Sequence, residues 1–182
     1  SYGWEWNTGA ISEGTYNPRV TVYDASGLSA SKTMFIGIDR TAPSMNQPTV
    51  GDNSNWSDST EVEIGNLISS ADDGSGSGID YVEIMVDSEW QSYTSESVTM
   101  NFDEGQHQIL IRAVDRVGNI GDSITVDVNV DTSEPEGIAW SVEELTTSRI
   151  GSVNISFSAQ DLGSGIDYDN TCLLYTSDAA DE

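Results

Sequence analysis

Three segments of this 182-residue chain recur at nearly one spacing, and this internal repeat constrains the fold more than any other feature. Residues 14–24 align with residues 105–115 at an offset of 91, and residues 38–43 align with residues 130–135 at an offset of 92. The pentapeptide Ser-Gly-Ile-Asp-Tyr also occurs twice, 87 residues apart. These matches predict a tandem array of units of about 90 residues, the size of a small β-sandwich.

The array predicts four segments along the chain. We expect the closing strands of one repeat at residues 1–41, a complete repeat at 42–134, the opening strands of a third at 135–171, and a tail at 172–182. Each predicted junction contains a proline, which ends a strand and stiffens a linker. The tail, Cys-Leu-Leu-Tyr-Thr-Ser-Asp-Ala-Ala-Asp-Glu, resembles a translated sequencing adapter, so we interpret the chain as a metagenomic fragment.

The apolar residues of the complete repeat alternate with polar ones, which is typical of antiparallel strands with one buried face. Val82, Ile84 and Val86 share a face in the first long stretch. The other predicted core-facing sets are Val98, Met100 and Phe102; His107, Ile109, Ile111 and Ala113; and Ile124, Val126, Val128 and Val130. No long stretch has apolar residues at the helical period of about 3.6 residues. The sequence therefore predicts an all-β fold without a helix longer than a turn or two.

One combined pattern resembles a known family. Gly-x-(Tyr/His) opens an alternating strand that ends in Asp-x-x-Gly, and a further strand ends in (Ile/Val)-Asp-x-(Thr/Ser)-x-Pro. This pattern resembles the bacterial and archaeal immunoglobulin-like (Ig-like) repeat domains of large surface or secreted proteins. The resemblance implies tandem Ig-like antiparallel β-sandwiches, here one complete and two truncated, on an extracellular or cell-surface prokaryotic protein. Such repeats serve as spacers, stalks or adhesion modules.

The first copy departs from this pattern at two positions. Leu28 stands where Asn119 stands in the second copy, so the turn of the first copy is not expected to be an equivalent ligand position. Pro18 interrupts the penultimate strand of the first copy, because proline cannot donate a ladder hydrogen bond.

Charge excludes several classes of function. The chain has 6 Lys and Arg against 31 Asp and Glu, a formal net charge of −25. Such a charge repels nucleic acid and anionic membrane surfaces, so neither is an expected partner. No apolar run approaches the about 18 residues of a membrane-spanning helix. A single His and a single Cys make a zinc site or a thiol–imidazole enzyme hard to build, so we predict no catalytic residues and no enzymatic activity.

Topology predicts one acidic constellation. In a sandwich of this type the second-to-third and sixth-to-seventh strand loops lie at the end where the preceding linker enters. The residues expected there are Asp39, Asp72, Asp73, Asp115 and Asn119, with Asp131 and Asp161 as counterparts at the next junction. Calcium prefers such oxygen ligands, and clustered carboxylates favour a cation. The sequence thus suggests calcium as a junction ligand; the alternative is a solvated acidic surface without a ligand.

Two residues have a structural interpretation that we favour over a chemical one. Asp115 precedes a Gly-Asn turn and is expected to accept backbone N–H groups there, although it can also act as a metal ligand. His107 takes the place of Tyr16 and is expected to anchor a strand corner, as in a tyrosine corner, and not to act as a base.

Three functions remain open at this point. The first is a structural spacer whose partners are the neighbouring Ig-like repeats of the same chain. The second is a module that binds a surface glycan or a protein, for which Trp90 and Tyr93 are the candidate aromatic pair. The third is an accessory region of a secreted hydrolase.

Overall fold

The computed structural model describes residues 3–52, 55–142 and 155–173. These residues form fifteen β-strands and contain no helix, which confirms the all-β prediction. Among them, no helix is present that is long and apolar enough to span a membrane. The strands are β1 (Gly14–Tyr16), β2 (Arg19–Tyr23), β3 (Ser29–Thr33), β4 (Ile36–Ile38), β5 (Ser44–Met45), β6 (Thr49–Val50), β7 (Glu61–Gly65), β8 (Ala71–Asp72), β9 (Ile79–Val86), β10 (Glu89–Tyr93), β11 (Val98–Asn101), β12 (Gly105–Asp115), β13 (Ile124–Val130), β14 (Glu136–Val142) and β15 (Ile155–Gln160).

The strands fall into three groups along the chain, and each described strand pairs only within its own group. The groups change at residues 39–43 and 131–135. In the first group β2 and β3 form a hairpin and β1 pairs with β4. Pro18 separates β1 from β2, whereas the equivalent β12 runs without a break, as the sequence predicts.

The middle group is an Ig-like sandwich of two main antiparallel sheets. One sheet has the strand order β10-β9-β12-β13, and the other has the order β11-β7-β6. The short strands β5 and β8 form a separate pair at one end. Between Val114 and Asp115 the pairing of β12 with β9 shifts register. Such a bulge re-aims a side chain, and here it occurs where Asp115 leaves the strand.

One hydrophobic core lies between these two sheets. The buried members of the cluster are Met45, Val62, Ile64, Leu67, Val82, Ile84, Ile109, Ile111, Ala113, Val126, Val128 and Val130. The predicted face of β11, together with Phe102, packs against this cluster in a partly buried position. Each fully buried side chain contributes about 1.5–3 kcal/mol, so the alternation read from the sequence supplies the main stabilising term of this unit.

The third group consists of the β14–β15 pair, which carries a register shift between Glu136 and Ala139. Several large apolar side chains of the first and third groups are exposed, among them Phe35, Trp140 and Leu162. Residues 174–182 of the predicted adapter-derived tail lie outside the described residues.

Candidate functional site at the linkers

The linker of residues 39–43 carries a carboxylate that contacts the following strand group. Asp39 comes directly after β4, and its Oδ2 accepts a 2.5 Å hydrogen bond from the backbone N–H of Ser77, in the loop before β9. Its Oδ1 accepts a 3.2 Å bond from the N–H of Thr41. One carboxylate therefore fixes the turn of the linker and also binds the next unit of the chain.

Asp73 lies in the same loop as Ser77 and faces Asp39. Its Oδ2 accepts a 2.6 Å hydrogen bond from the N–H of Gly78, which closes the loop on itself. A Cβ at Gly76 would lie 2.5 Å from Oδ2 of Asp73 and 2.7 Å from Oδ2 of Asp39. A side chain at residue 76 would therefore displace the two carboxylates from this arrangement.

Asp115 is the most enclosed carboxylate of the site, with 1 % of its surface exposed. Its Oδ1 accepts hydrogen bonds from the N–H groups of Val117 (3.0 Å) and Asn119 (2.8 Å), and its Oδ2 accepts one from Nδ2 of Asn119 (2.7 Å). Burial raises the pKa of this carboxyl, but the hydrogen bonds from Asn119 and Val117 outweigh it and bring the pKa below 3.8. The expectation that Asp115 accepts backbone N–H groups is confirmed.

The first copy keeps this turn although Leu28 replaces the asparagine. Oδ1 of Asp24 accepts hydrogen bonds from the N–H groups of Ser26 (2.9 Å) and Leu28 (2.8 Å). The backbone bonds of the turn are therefore equivalent in the two copies. The reason is that the turn needs only main-chain donors, and the Asn119 amide adds a side-chain contact to it.

The structure brings together three of the five predicted junction residues. One carboxylate oxygen each of Asp39, Asp73 and Asp115 lie within 4.8 Å of one another. Oδ1 of Asp73 and Oγ of Ser77 are buried at this place, and neither has a hydrogen-bond partner among the described residues. Among the described residues, Arg112 and Glu83 form the single ion pair. No described basic side chain therefore forms an ion pair with the three carboxylates. The cluster can therefore accept a cation or a water molecule through buried oxygens.

The two other predicted junction residues lie beside the cluster. The Oδ1 of Asp72 accepts a 2.7 Å hydrogen bond from the N–H of Gly74, within its own loop. The Nδ2 of Asn119 donates to Asp115 and also to the backbone oxygen of Thr41, at 3.3 Å. Asn119 thus ties the sixth-to-seventh strand loop to the linker.

The second linker repeats the contact of the first. Oδ2 of Asp131 accepts a 2.6 Å hydrogen bond from the N–H of Ser164, and its Oδ1 accepts one of 3.2 Å from the N–H of Ser133. Ser164 lowers the pKa of Asp131, first through its backbone N–H and then through its side chain. The predicted counterpart Asp161 lies in the facing loop, where its Oδ1 accepts the N–H of Gly163 at 3.0 Å.

Two glutamates that the sequence analysis did not single out also hold the linkers. Oε1 of Glu13 accepts the N–H of Arg40, and its Oε2 accepts the hydroxyl of Thr41, both at 2.7 Å. In the same way Glu104 accepts the hydroxyls of Thr132 (3.0 Å) and Ser133 (2.6 Å). The available signal was that a Glu precedes the first glycine of both aligned segments.

The strand-corner prediction for His107 is confirmed. Its Nε2 lies 2.7 Å from the backbone oxygen of Asp103, four residues earlier. In the first copy the hydroxyl of Tyr16 donates a 2.7 Å hydrogen bond to the backbone oxygen of Ser12, also four residues earlier. Imidazole and phenol therefore perform one structural role at equivalent positions.

The candidate aromatic pair does not form a common platform. Trp90 lies opposite Met85 and Tyr93 lies opposite Val82 in the β10–β9 pairing, so the two rings lie on opposite faces of the sheet. Tyr93 packs against the core. The guanidinium carbon of Arg112 lies 3.9 Å from the ring centroid of Trp90 and covers that ring. Their odd spacing in one strand was the signal for opposite faces.

Comparison with known proteins finds a similarity in structure. A scan against protein-family models and a search of curated proteins find no match. A solved structure described as Clostridium thermocellum CbhA fibronectin(III)-like modules is 17 % identical, with a TM-score of 0.35. The match covers 66 % of this chain and 64 % of that chain, which is less than two thirds of its length. The fold assignment here accordingly rests on the strand order and pairing of the described residues.

Proposed function

We propose that this chain is a non-catalytic Ig-like repeat segment of an extracellular or cell-surface prokaryotic protein and acts as a spacer, stalk or adhesion module. The observation that carries this proposal is the recurrence of one linker contact. Asp39 accepts the N–H of Ser77, and Asp131 accepts the N–H of Ser164, in loops that share the sequence Gly-Ser-Gly-Ile-Asp-Tyr. A chain that repeats the connection between units as well as the units is suited to setting a distance along its length.

We further propose that calcium binds at the first junction and stiffens it. Asp39, Asp73 and Asp115 supply carboxylate oxygens from a linker and two loops, and the orphaned oxygens of Asp73 and Ser77 support a ligand there. Calcium binds six to eight oxygen ligands in flexible geometry, and it favours carboxylates, amide carbonyls and waters. Bound at this place, it would offset the mutual repulsion of the three carboxylates and hold the linker against both loops.

Thermal unfolding of the full chain tests the calcium proposal. The melting temperature is measured in high sodium chloride, with chelator and then with millimolar calcium. At a calcium concentration about 100 times its dissociation constant, binding stabilises by about 2.7 kcal/mol. We expect a rise of about 10 °C for a domain of this size.

The variants Asp39→Asn and Asp73→Asn should lose this rise. Asp80→Asn is the matched control, because it removes the same charge from an exposed residue at the start of β9. Magnesium at the same concentration serves as the control ion. If calcium raises the melting temperature of all four proteins by no more than magnesium does, the carboxylates form a solvated surface and not a calcium site. The spacer proposal would then stand without a metal.

The alternative function, a glycan- or partner-binding accessory module of a secreted hydrolase, finds no support in the described aromatic residues. Trp90 and Tyr93 lie on opposite faces, and Arg112 covers the outer one. Glycan-array binding by the full chain that is lost in Trp90→Ala would favour this alternative over the spacer.

A further inference from the structure

Each linker contacts the following repeat through its own aspartate and the preceding repeat through a glutamate, and that glutamate has no role in the proposed calcium site. Glu13 lies in the turn before β1, and its two carboxylate oxygens accept hydrogen bonds from consecutive linker residues, Arg40 and Thr41. Glu104 lies in the equivalent turn before β12, and its two carboxylate oxygens accept hydrogen bonds from the hydroxyls of Thr132 and Ser133. Both glutamates come from the repeat that the linker leaves.

The same linker residue is shared between the two carboxylates. The hydroxyl of Thr41 donates to Glu13, while its backbone N–H donates to Asp39. Ser133 is shared in the same way between Glu104 and Asp131. A force or a tilt at the glutamate is therefore passed through one residue to the aspartate that binds the next repeat.

The first linker, residues 39–43, runs beside an open cleft. The cleft has a volume of about 720 Å³ and is lined by parts of β1, β4, the linker and the loop of residues 72–77. No described strand of the first group pairs with a strand of the middle group, so the linker and its hydrogen bonds connect the two groups at this place. Fixing each linker residue costs conformational entropy, which hydrogen bonds to charged groups can offset.

We propose that Glu13 and Glu104 are positioning residues that orient the linker aspartates, Asp39 and Asp131, toward the N–H groups of the next repeat. The result is a carboxylate clamp at each junction that couples consecutive repeats in the absence of metal. This inference rests on the proposed tandem array, but it is independent of calcium. Such a clamp can bind only a following repeat whose loop presents a backbone N–H group next to a glycine. The loops at Gly76-Ser77 and Gly163-Ser164 both do so.

Residue-resolved amide hydrogen exchange of the full chain in EDTA tests the clamp. The reporter is the N–H of Ser77, which Glu13 does not contact and which Asp39 accepts. We expect Glu13→Ala to speed exchange at Ser77 about tenfold, the change that corresponds to about 1.4 kcal/mol. Asp39→Ala defines the full loss of protection, and Glu5→Ala is the control because Glu5 is exposed in the same group.

Wild-type exchange at Ser77 in Glu13→Ala, with faster exchange at Arg40, would overturn the proposal, because Glu13 would then hold only its own repeat. If amides of the core strand β12 also exchange faster in Glu13→Ala, Thr41→Val decides the matter. This variant keeps the shape of Thr41 and removes its hydroxyl. Faster exchange at Ser77 with an unchanged β12 supports the clamp, and an unchanged Ser77 overturns it.

The second junction repeats the test with different residues. We expect Glu104→Ala to speed exchange at the N–H of Ser164, and Glu134→Ala to leave it unchanged, since Glu134 is exposed in the same linker. A Ser164 amide that responds to neither variant, or equally to both, would contradict the proposal at this junction. Because all measurements are made in EDTA, a failure of the calcium proposal does not alter their outcome.

Discussion

The Nε2 of His107 donates its proton to the backbone oxygen of Asp103 at 2.7 Å, and this contact fixes the tautomer of the imidazole. A carbonyl oxygen can only accept, so the proton lies on Nε2. The ring also contacts Phe102, with the two ring centroids 5.4 Å apart. The single histidine of the chain is therefore an anchor of the turn before β12.

The role of His107 predicts which residues can replace it. His107→Tyr should retain stability, because the hydroxyl of Tyr16 makes the same bond in the first copy. His107→Phe keeps an aromatic ring but loses the hydrogen bond, and should destabilise by about 1 kcal/mol. Hydrogen exchange of the β12 amides by global opening measures both changes. Equal losses in the two variants would show that the hydrogen bond contributes nothing.

Removal of the Asp115 carboxylate should be the most damaging single change in its turn. Asp115→Asn keeps one acceptor but turns an amide donor toward Nδ2 of Asn119, so that two donors face each other. We expect a loss of about 1.5–3 kcal/mol, measured by urea unfolding. Asp24→Asn is the matched change in the exposed turn of the first copy and should cost less. A larger loss at Asp24 would contradict the importance of burial.

The lowered pKa of Asp115 predicts how stability depends on pH. Hydrogen bonds outweigh burial and hold this pKa below 3.8, so the folded state binds its proton less readily than the unfolded state. The stabilisation is fully present above the unfolded pKa and is lost as the pH falls through the folded pKa. Urea unfolding from about pH 5 downward should show this loss. Asp115→Asn should flatten the curve, whereas an unchanged slope would assign the pH dependence to other groups.

A side chain at Gly76 should weaken the linker contact, although the backbone of this residue does not need glycine. The Cβ of Gly76→Ala would lie 2.5 Å from Oδ2 of Asp73 and 2.7 Å from Oδ2 of Asp39, so both carboxylates must shift, and the bond from the N–H of Ser77 to Asp39 is weakened. We expect faster amide exchange at Ser77 and a loss of about 1–3 kcal/mol. Gly37→Ala is the control, since its Cβ would meet nothing within 4 Å. Similar behaviour of the two variants would mean that the linker contact adapts freely.

Arg112 should stabilise the outer face of the four-stranded sheet through two contacts. Its Nε donates to Oε2 of Glu83 at 2.7 Å, and its guanidinium covers Trp90. Arg112→Ala should destabilise by about 1–2 kcal/mol and expose the indole to water, which is measured by urea unfolding and tryptophan fluorescence. Arg112→Lys keeps the charge but not the planar group, and should fall between. A fully stable alanine variant would show that the ring needs no cover.

The sequence by itself determined the features that alternation and repetition encode locally. The period of two along β9, β12 and β13 assigned Val82, Ile111 and Val128 to the core, because side chains of a strand alternate between its faces. The aligned repeats assigned His107 to the corner that Tyr16 occupies, since equivalent positions in a repeated fold have equivalent surroundings. The Asp115 turn followed from the Gly-Asn sequence behind it.

Only the tertiary structure decided which charged groups meet. Topology brought five residues to one end of the sandwich, but loop conformation selected Asp73 for the cluster and turned Asp72 to its own backbone. The contacts of Glu13 and Glu104 join residues 27 to 29 positions apart in sequence. No local pattern specifies such contacts, because they depend on where a linker and a turn meet after the strands have paired. The path of the folded chain, and not the acidic composition, therefore decides which of the many carboxylates lie at a junction.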